Sequence, residues 1–279
     1  MATDRISPTA HYTGYTWFHN GLSHPSLATA QGRVMYHGLR PLNAVSRRLG
    51  TPTLEGVLLA RHRSIDAQLE AAIESGAVSQ VIEIAAGLSP RGWDFARRYG
   101  DRITYIEADL PDMAAHKRRL LVRAHLASAN HRVVELDALA ESGPRSLAQL
   151  ADSLDPTKGV AIITEGLINY FPTDAVLGMW RRFATTLRRF PTGLYLSDLH
   201  LKADNRGIGV AAFMRLLSTF VRGSVYLHFE SAQAASRALA DAGFEQGVAR
   251  IPDAVRSADG SLDKRGARMV RVVRAETST

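Results

Sequence analysis

From about residue 80 the chain alternates short apolar runs with amphipathic stretches of helix length. The runs at 81–86, 103–108, 132–136, 160–164 and 194–199 are rich in Ile, Val and Leu and too short for helices, so they predict strands. The stretches between them, at 90–99, 113–127, 146–154 and 174–189, predict helices. Strands joined by helix-length segments form right-handed crossovers, which predicts a largely parallel sheet. A further helix at 231–242, stopped by Gly243, leads into runs at 244–251 and 268–274, and these predict a closing antiparallel hairpin.

Two segments fall outside this alternation. Residues 1–75 predict helices after an aromatic-rich, irregular start, the clearest being 54–75 with a stop at Gly76. Residues 202–229 interrupt the path from the fifth strand to the next helix. Insertions at the carboxyl ends of strands sit over the ligand crevice of an open α/β sheet, so both segments predict a cap. The expected organisation is an N-terminal helical cap segment at 1–75 and an α/β core at 76–279, with 202–229 as a cap insertion. Phe213, Leu216, Leu217 and Phe220 in that insertion keep a helical spacing, which suits either shielding an acceptor or packing on the core.

Composition narrows the picture. The 279 residues suffice for one large α/β domain or a core with a cap, and 46% hydrophobic residues argue against wholesale disorder. The absence of cysteine removes disulfides, thiolate nucleophiles and cysteine-based metal sites. No apolar stretch approaches the roughly 20 residues that span a bilayer, and residues 1–16 hold no signal-peptide run, so a cytoplasmic protein without a membrane partner is expected. The formal charge of +7 comes mostly from 30 arginines, since lysine stands only at Lys117, Lys158, Lys202 and Lys264. The arginines are dispersed, often in pairs such as Arg188 and Arg189, with no dense basic tract interleaved with aromatics. They read as solvated helix faces, and no nucleic-acid partner is expected.

The candidate chemistry lies at the ends of the strand runs. The first runs into Ala85-Ala86-Gly87-Leu88-Ser89-Pro90, where Ser89 can cap the next helix and Pro90 suits its first position. A strand, a glycine turn and a helix N-terminus bring backbone N–H groups to a ligand, although one glycine fits an ordinary strand-to-helix turn equally well. The second run ends in Glu107-Ala108-Asp109, two carboxylates on one face at period two. Carboxylates there hold ribose hydroxyls in nucleoside-binding α/β folds, and a solvated pair is the plain alternative. The third ends in Asp137-Ala138, suited to an adenine amino group, and the fourth in Glu165, which is costly after a buried run unless partnered. Acidic residues ending three successive strands form a pattern that chance explains poorly. Elsewhere, residues 11–20 are dense in aromatics and histidine. Tyr15, Trp17 and His19 there either line an apolar acceptor pocket or belong to an arm packed on the core, and no metal site is expected. His200, after Asp198, either borders the crevice or is structural.

The succession Arg61…Asp66, Glu83-Ile-Ala-Ala-Gly87-Leu, Tyr105-Ile-Glu-Ala-Asp-Leu-Pro111…Lys117, Asp137 and Glu165-Gly-Leu-Ile-Asn-Tyr170 resembles the leucine carboxyl methyltransferase family, which includes bacterial polyketide O-methyltransferases of the tetracenomycin type. The likeness covers roughly residues 55–200. It implies a Rossmann-like class I methyltransferase sheet with a helical cap, and S-adenosyl-L-methionine as cofactor. Arg61 would pair with the methionine carboxylate, with Arg63 as its rival, and Gly87, in the motif opened by Glu83, would admit the methionine portion against the backbone. Asp109, with Glu107 near it, would hold the ribose, Asp137 beside Ala138 would meet the adenine, and Glu165 would face the methionine amino group. Tyr170 and His200 are candidates for catalysis, and with Tyr15, Trp17, His19 and Phe213 for binding the acceptor. Two departures stand out. The family usually carries another glycine where Ala85 stands, and Asp-Thr-Arg where this chain has Ser89-Pro90-Arg91.

Methyl transfer from a sulfonium is an in-line displacement that demands alignment and exclusion of water. A carboxylate acceptor is already ionised near neutral pH, whereas a hydroxyl needs a base. With no unmistakable base in the sequence, the expected reaction is O-methylation of a carboxylate on a small molecule of secondary-metabolite type. The rivals are a hydroxyl methyltransferase with His11, His19 or His200 as base, and a protein that binds S-adenosylmethionine without methylating. A small-molecule acceptor is the expected partner, and a homo-oligomer stays open.

Overall fold

The structure is a computed structural model that describes residues 8–205 and 226–278. Seven strands form one sheet: β1 (Gln80–Ile84), β2 (Thr104–Asp109), β3 (His131–Glu135), β4 (Val160–Thr164), β5 (Thr192–Leu199), β6 (Gln246–Arg250) and β7 (Arg271–Ser278). Their order is β3-β2-β1-β4-β5-β7-β6; the first five are parallel, and β7 runs antiparallel to β5 and β6. The order reverses between β1 and β4, which opens a crevice at the carboxyl ends of those strands.

The described helices are α1 (Pro8–His19), α2 (Ala30–Arg48), α3 (Leu54–Glu74), α4 (Arg91–Tyr99), α5 (Pro111–Arg123), α6 (Leu147–Ala151), α7 (Thr173–Leu187), α8 (Ala232–Ala242) and α9 (Lys264–Arg268). The central strands read as unbroken apolar runs because both faces are covered. Val81, Ala161, Ile163 and Leu196 pack with Ile65, Leu69 and Phe95 on one side. Ile82, Ile84, Ile162 and Tyr195 pack with Trp180, Phe183 and Leu239 on the other. Thr53 caps α3 by accepting the Gly56 N–H, Ser231 caps α8 by accepting that of Ala234, and Gly243 ends α8 at φ +108°.

Several boundaries differ from the sequence reading for local reasons. β1 stops at Ile84 because Ala85 turns into the left-handed region at φ +56°. α5 stops at Arg123 because His125 does the same at φ +55°. Pro90 is the N-cap of α4 rather than its first residue, with the Ser89 hydroxyl accepting the Arg91 N–H at 3.3 Å. The aromatic-rich start is regular: Thr13 and Thr16 hydroxyls bond carbonyls a turn back, while Tyr12, Tyr15 and Trp17 pack with Tyr36 and Leu58. Ile65, Leu69 and Ile73 seat α3 against the sheet, so within 1–75 it is α1 and α2 that stand off from it. Most of the insertion expected as cap, residues 206–225 with Phe213, lies outside the described residues. No helix among the described residues is long and apolar enough to cross a membrane.

Candidate active site

A cavity of about 300 Å³ lies at the carboxyl ends of β1, β2 and β4, roofed by α1. Its floor comprises the β1–α4 turn at 85–89, Asp109 at the end of β2, and Glu165 and Gly166 after β4. The roof is one face of α1, formed by Thr9, Ala10, Thr13 and Trp17. Small residues let the roof rest on the turn. A Cβ on Gly87 would come within 3.3 Å of the Ala10 Cβ, and one on Gly14 within 2.9 Å of the Leu88 Cβ. Gly87 sits at φ +50°, and its N–H donates to Asp109 Oδ2 at 2.7 Å; the Leu110 N–H donates to Oδ1 at 2.8 Å. Burial pushes the Asp109 carboxyl up, against the pull of those two N–H groups.

Beside the cavity lies a buried ionic cluster. Arg91, almost wholly enclosed, donates to Asp66 Oδ1 at 2.5 Å, Glu83 Oε1 at 2.5 Å and Glu165 Oε2 at 2.6 Å. Arg61 donates to Glu165 Oε1 at 3.0 Å and Asp198 Oδ2 at 2.9 Å. Tyr105 closes the other side of Glu83 with a 2.7 Å bond to Oε2. His62 Nδ1 lies 2.8 Å from Glu165 Oε2, and Trp17 stacks on the His62 ring at 4.1 Å. Burial alone would raise the Glu165 carboxyl, but His62, Arg91 and Arg61 outweigh it and hold the group well below the ordinary carboxylate range. Burial opposes the charge on Arg91 as well, and Glu83, Asp66 and Glu165 more than restore it. Arg61, Glu83, Asp109 and Glu165 are the charged residues lining the cavity, so its described wall carries more negative than positive charge.

The structure brings together Arg61, Glu83, Gly87, Asp109, Glu165, Trp17 and Tyr170 around this space, and Arg63 is exposed on the opposite side of α3. It keeps several other candidates away. Glu107 is fully buried but turned from the cavity, with Lys117 Nζ 2.8 Å from Oε1 and His131 Nε2 3.2 Å from Oε2; it has no path to a ribose. Asp137 and Ala138 stand beyond the cavity wall on the β3 side, and Asp137 Oδ1 accepts the Leu139 N–H. Tyr15 does not line the cavity. It packs against Phe18 and Tyr36, and its hydroxyl lies 3.3 Å from His37. His19 packs on Tyr36 and not on the cavity. His200 does not line this cavity; it is buried with Nδ1 2.7 Å from the Met269 carbonyl, and burial lowers its pKa. His11 is likewise spent, on the Thr29 hydroxyl at 2.9 Å.

Sequence reasoning placed Trp17 near the site, but it passed over His62, Thr9, Ala10 and Thr13 and gave Asp198 and Arg91 no role. Asp198 closes β5 as Glu165 follows β4, and its Oδ1 accepts the Gly166 N–H at 2.6 Å, so a fourth acidic strand end was there to be found. Ala85 stands in the left-handed region, which explains in backbone terms why glycine is usual there in the family it resembles. Of the segment expected as cap, α1 reaches the crevice: it lines the cavity and rests on the turn at Gly87.

A family model, leucine carboxyl methyltransferase, matches residues 23–184, more than half of the chain and the cavity wall apart from its α1 roof. The chain belongs to that family. Among curated relatives of this family member, a Mycolicibacterium paratuberculosis protein is 34% identical over 117 residues, covering 42% of this chain and 37% of its own length. A Frankia alni protein is 30% identical over 125 residues, 45% of this chain and 42% of the relative. Both are provisionally named S-adenosyl-L-methionine-dependent methyltransferases, and the matches span less than half of their lengths. Among solved structures, a provisionally named methyltransferase from Thermobifida fusca superposes with a TM-score of 0.62 at 13% identity, over 100% of this chain and 97% of that one. A DUF574 family protein from Streptomyces avermitilis gives 0.62 at 16%, over 99% and 100%. At such identities the likeness shows the fold, a class I methyltransferase sheet.

Proposed function

We propose that this chain is an S-adenosylmethionine-dependent O-methyltransferase that methylates a carboxylate on a small molecule, of secondary-metabolite type, within the tetracenomycin-type branch of its family. The observation that carries the reading is the cavity wall. A glycine turn, a ribose-type carboxylate and an acid–guanidinium pair converge at the topological switch point of the sheet. These residues fit the cofactor. Arg61 would take the methionine carboxylate, and Glu165 the amino group. Asp109 keeps a free lone pair on each oxygen for ribose hydroxyls after accepting two backbone N–H groups. Asp137 and Ala138 lie at the sheet edge where an adenine would project. Bound there, S-adenosylmethionine supplies an electrophilic methyl group on a sulfonium, and the acidic excess of the wall suits that cation.

The rest is done by the chain's own groups. Trp17, Thr13 and Ala10 of α1 roof the space and exclude water, and the Arg91 cluster fixes Glu165 in its charged form. Tyr170 lines the wall with its phenol held protonated by burial, ready to donate a hydrogen bond to an acceptor oxygen. A hydroxyl acceptor is the second reading, favoured by one observation. With Arg61 turned to the methionine carboxylate beside Glu165 and Asp198, and Arg91 held by three carboxylates, no further cation in the described wall is left to greet a carboxylate acceptor. Release of S-adenosylhomocysteine in the presence of candidate acceptors, followed by alkali treatment of the product, separates the two. An ester is hydrolysed and the reading stands; an alkali-stable ether replaces it with the second; binding without any release over a broad acceptor panel leaves a cofactor-binding protein that does not methylate.

A further inference from the structure

α2 displays three distinct sectors. Tyr36 and Asn43 are buried and Met35 and Leu39 half-buried, all facing inward. A second sector is apolar and open to solvent. Val34 is 74% exposed, Leu42 40%, Val45 54%, and Leu49, one residue past the helix end, 70%. Pro41 and Gly38 are exposed between them, and a Cβ on Gly38 would meet nothing. At about 100° per residue these positions fall within one arc of roughly 100°. Along one flank of that arc run Arg33, Arg40 and Arg48, all exposed, with no ion pair to any described residue. Arg47, further round, is already engaged by Glu55 and Asp259. α2 contains no aspartate or glutamate.

Single exposed apolar residues are ordinary, but a continuous stripe of them edged by unpaired arginines is the pattern of a helix that lies in a lipid interface. We propose that α2 is a docking surface for an anionic lipid bilayer, with the Val34–Leu42–Val45–Leu49 stripe lowered into the headgroup region and the arginine row set on lipid phosphates. The stripe spans about 22 Å at 1.5 Å per residue, enough to lie flat in that layer. Charge counts against an antiparallel second copy as the occupant. Two α2 helices laid antiparallel on their stripes would bring the arginine rows together, with no carboxylate on either helix to separate them. The surface needs no spanning segment, and it departs from the expectation that the chain has no membrane partner. Tyr12 stacks on Tyr36 at 6.2 Å, so the docked helix would hold the roof of the cavity close to the bilayer.

Vesicle flotation of the full chain tests this, with phosphatidylglycerol mixed into phosphatidylcholine against phosphatidylcholine alone. The chain should float with the anionic vesicles, stay behind with the neutral ones, and be released by salt. Leu42→Glu combined with Val45→Glu, both at exposed positions, should weaken partition at least about tenfold, and neutralising Arg33, Arg40 and Arg48 to Gln by roughly fivefold per arginine, with S-adenosylhomocysteine affinity unchanged in each. Failure to float with anionic vesicles, equal binding to both kinds, or unaltered binding of the glutamate variant overturns the proposal. So does a dimer in sedimentation velocity that the glutamate variant dissolves while the wild type ignores vesicles, since the stripe then belongs to a second copy. Retention on an acidic peptide without any vesicle binding overturns it in the same way.

Discussion

Glu83 on β1 and Glu107 on β2 are register partners on adjacent parallel strands, both buried on the same face of the sheet, yet only Glu83 has access to the cavity. Two like charges side by side away from water cannot both stay ionised without cations of their own. Glu83 finds Arg91, which hands the connection on to Glu165 and the cavity wall. Glu107 finds Lys117 from α5 and His131 from β3, and α4 seals it there, because a Cβ at Gly92 would come within 2.5 Å of Glu107 Oε1. Lys117 also donates to the Ser89 carbonyl at 2.7 Å, so the sealed pair braces the turn from behind while the open cluster faces the ligand space. An acid in a strand marks the site's neighbourhood; which helix supplies its cation decides whether it can meet a ligand.

The comparison breaks most visibly at Arg91. Arg91→Leu strands Asp66, Glu83 and part of Glu165 without their shared partner, and should cost about 3–5 kcal/mol in denaturant unfolding. A loss under about 1 kcal/mol would mean that those carboxylates are solvated or neutral. Next is Glu107→Gln, which leaves Lys117 enclosed without its counter-charge. It should lower stability by about 2 kcal/mol or more and leave S-adenosylhomocysteine affinity within a few-fold. A large loss of affinity with unchanged stability would put Glu107 back in the cofactor site.

Acid sharpens the same contrast. Burial works against the charge on Glu107, but Lys117 and His131 overcome it, so its carboxyl, like that of Glu165, is held below the ordinary value. The stability that both contribute is complete above the unfolded carboxylate value of about 4.3 and is lost as pH falls through the lower folded values. Asp109 goes the other way, raised by burial, so it takes up its proton first as pH falls. Ligand affinity should therefore weaken at a higher pH than the one at which the fold gives way, and Glu107→Gln should flatten the acid limb of stability without moving the affinity limb. Coincident limbs would contradict the separation of the two clusters. The smallest expected effect is at Ala85. Moving glycine into its left-handed conformation should stabilise the fold by up to about 1 kcal/mol, read as a higher melting temperature.

Much of this was legible in the chain. Hydrophobic period and glycine stops give the parallel sheet, the final hairpin and the α8 stop at Gly243, because both faces of the sheet are covered and its runs stay apolar. Gly87, Asp109 and Glu165 are placed by backbone topology, which the order of the strands already dictates. Tyr15, His19 and His200 were not placed, since an aromatic or a histidine reads alike whether it lines a cavity or packs beside one. His62 was missed because its bond to Glu165 spans more than a hundred residues, whereas Asp198, which holds Arg61 over a similar span, carried the signal of a fourth acidic strand end.

Titration calorimetry with S-adenosylhomocysteine is the most direct test of the central claim, that the cavity under α1 is the cofactor site. The wild-type chain should bind. Asp109→Ala and Glu165→Ala, each shown by circular dichroism to keep the fold, should each lose about tenfold or more, the worth of a charge-assisted hydrogen bond of roughly 1.5–3 kcal/mol. Two folded variants that bind as tightly as the wild type would contradict it.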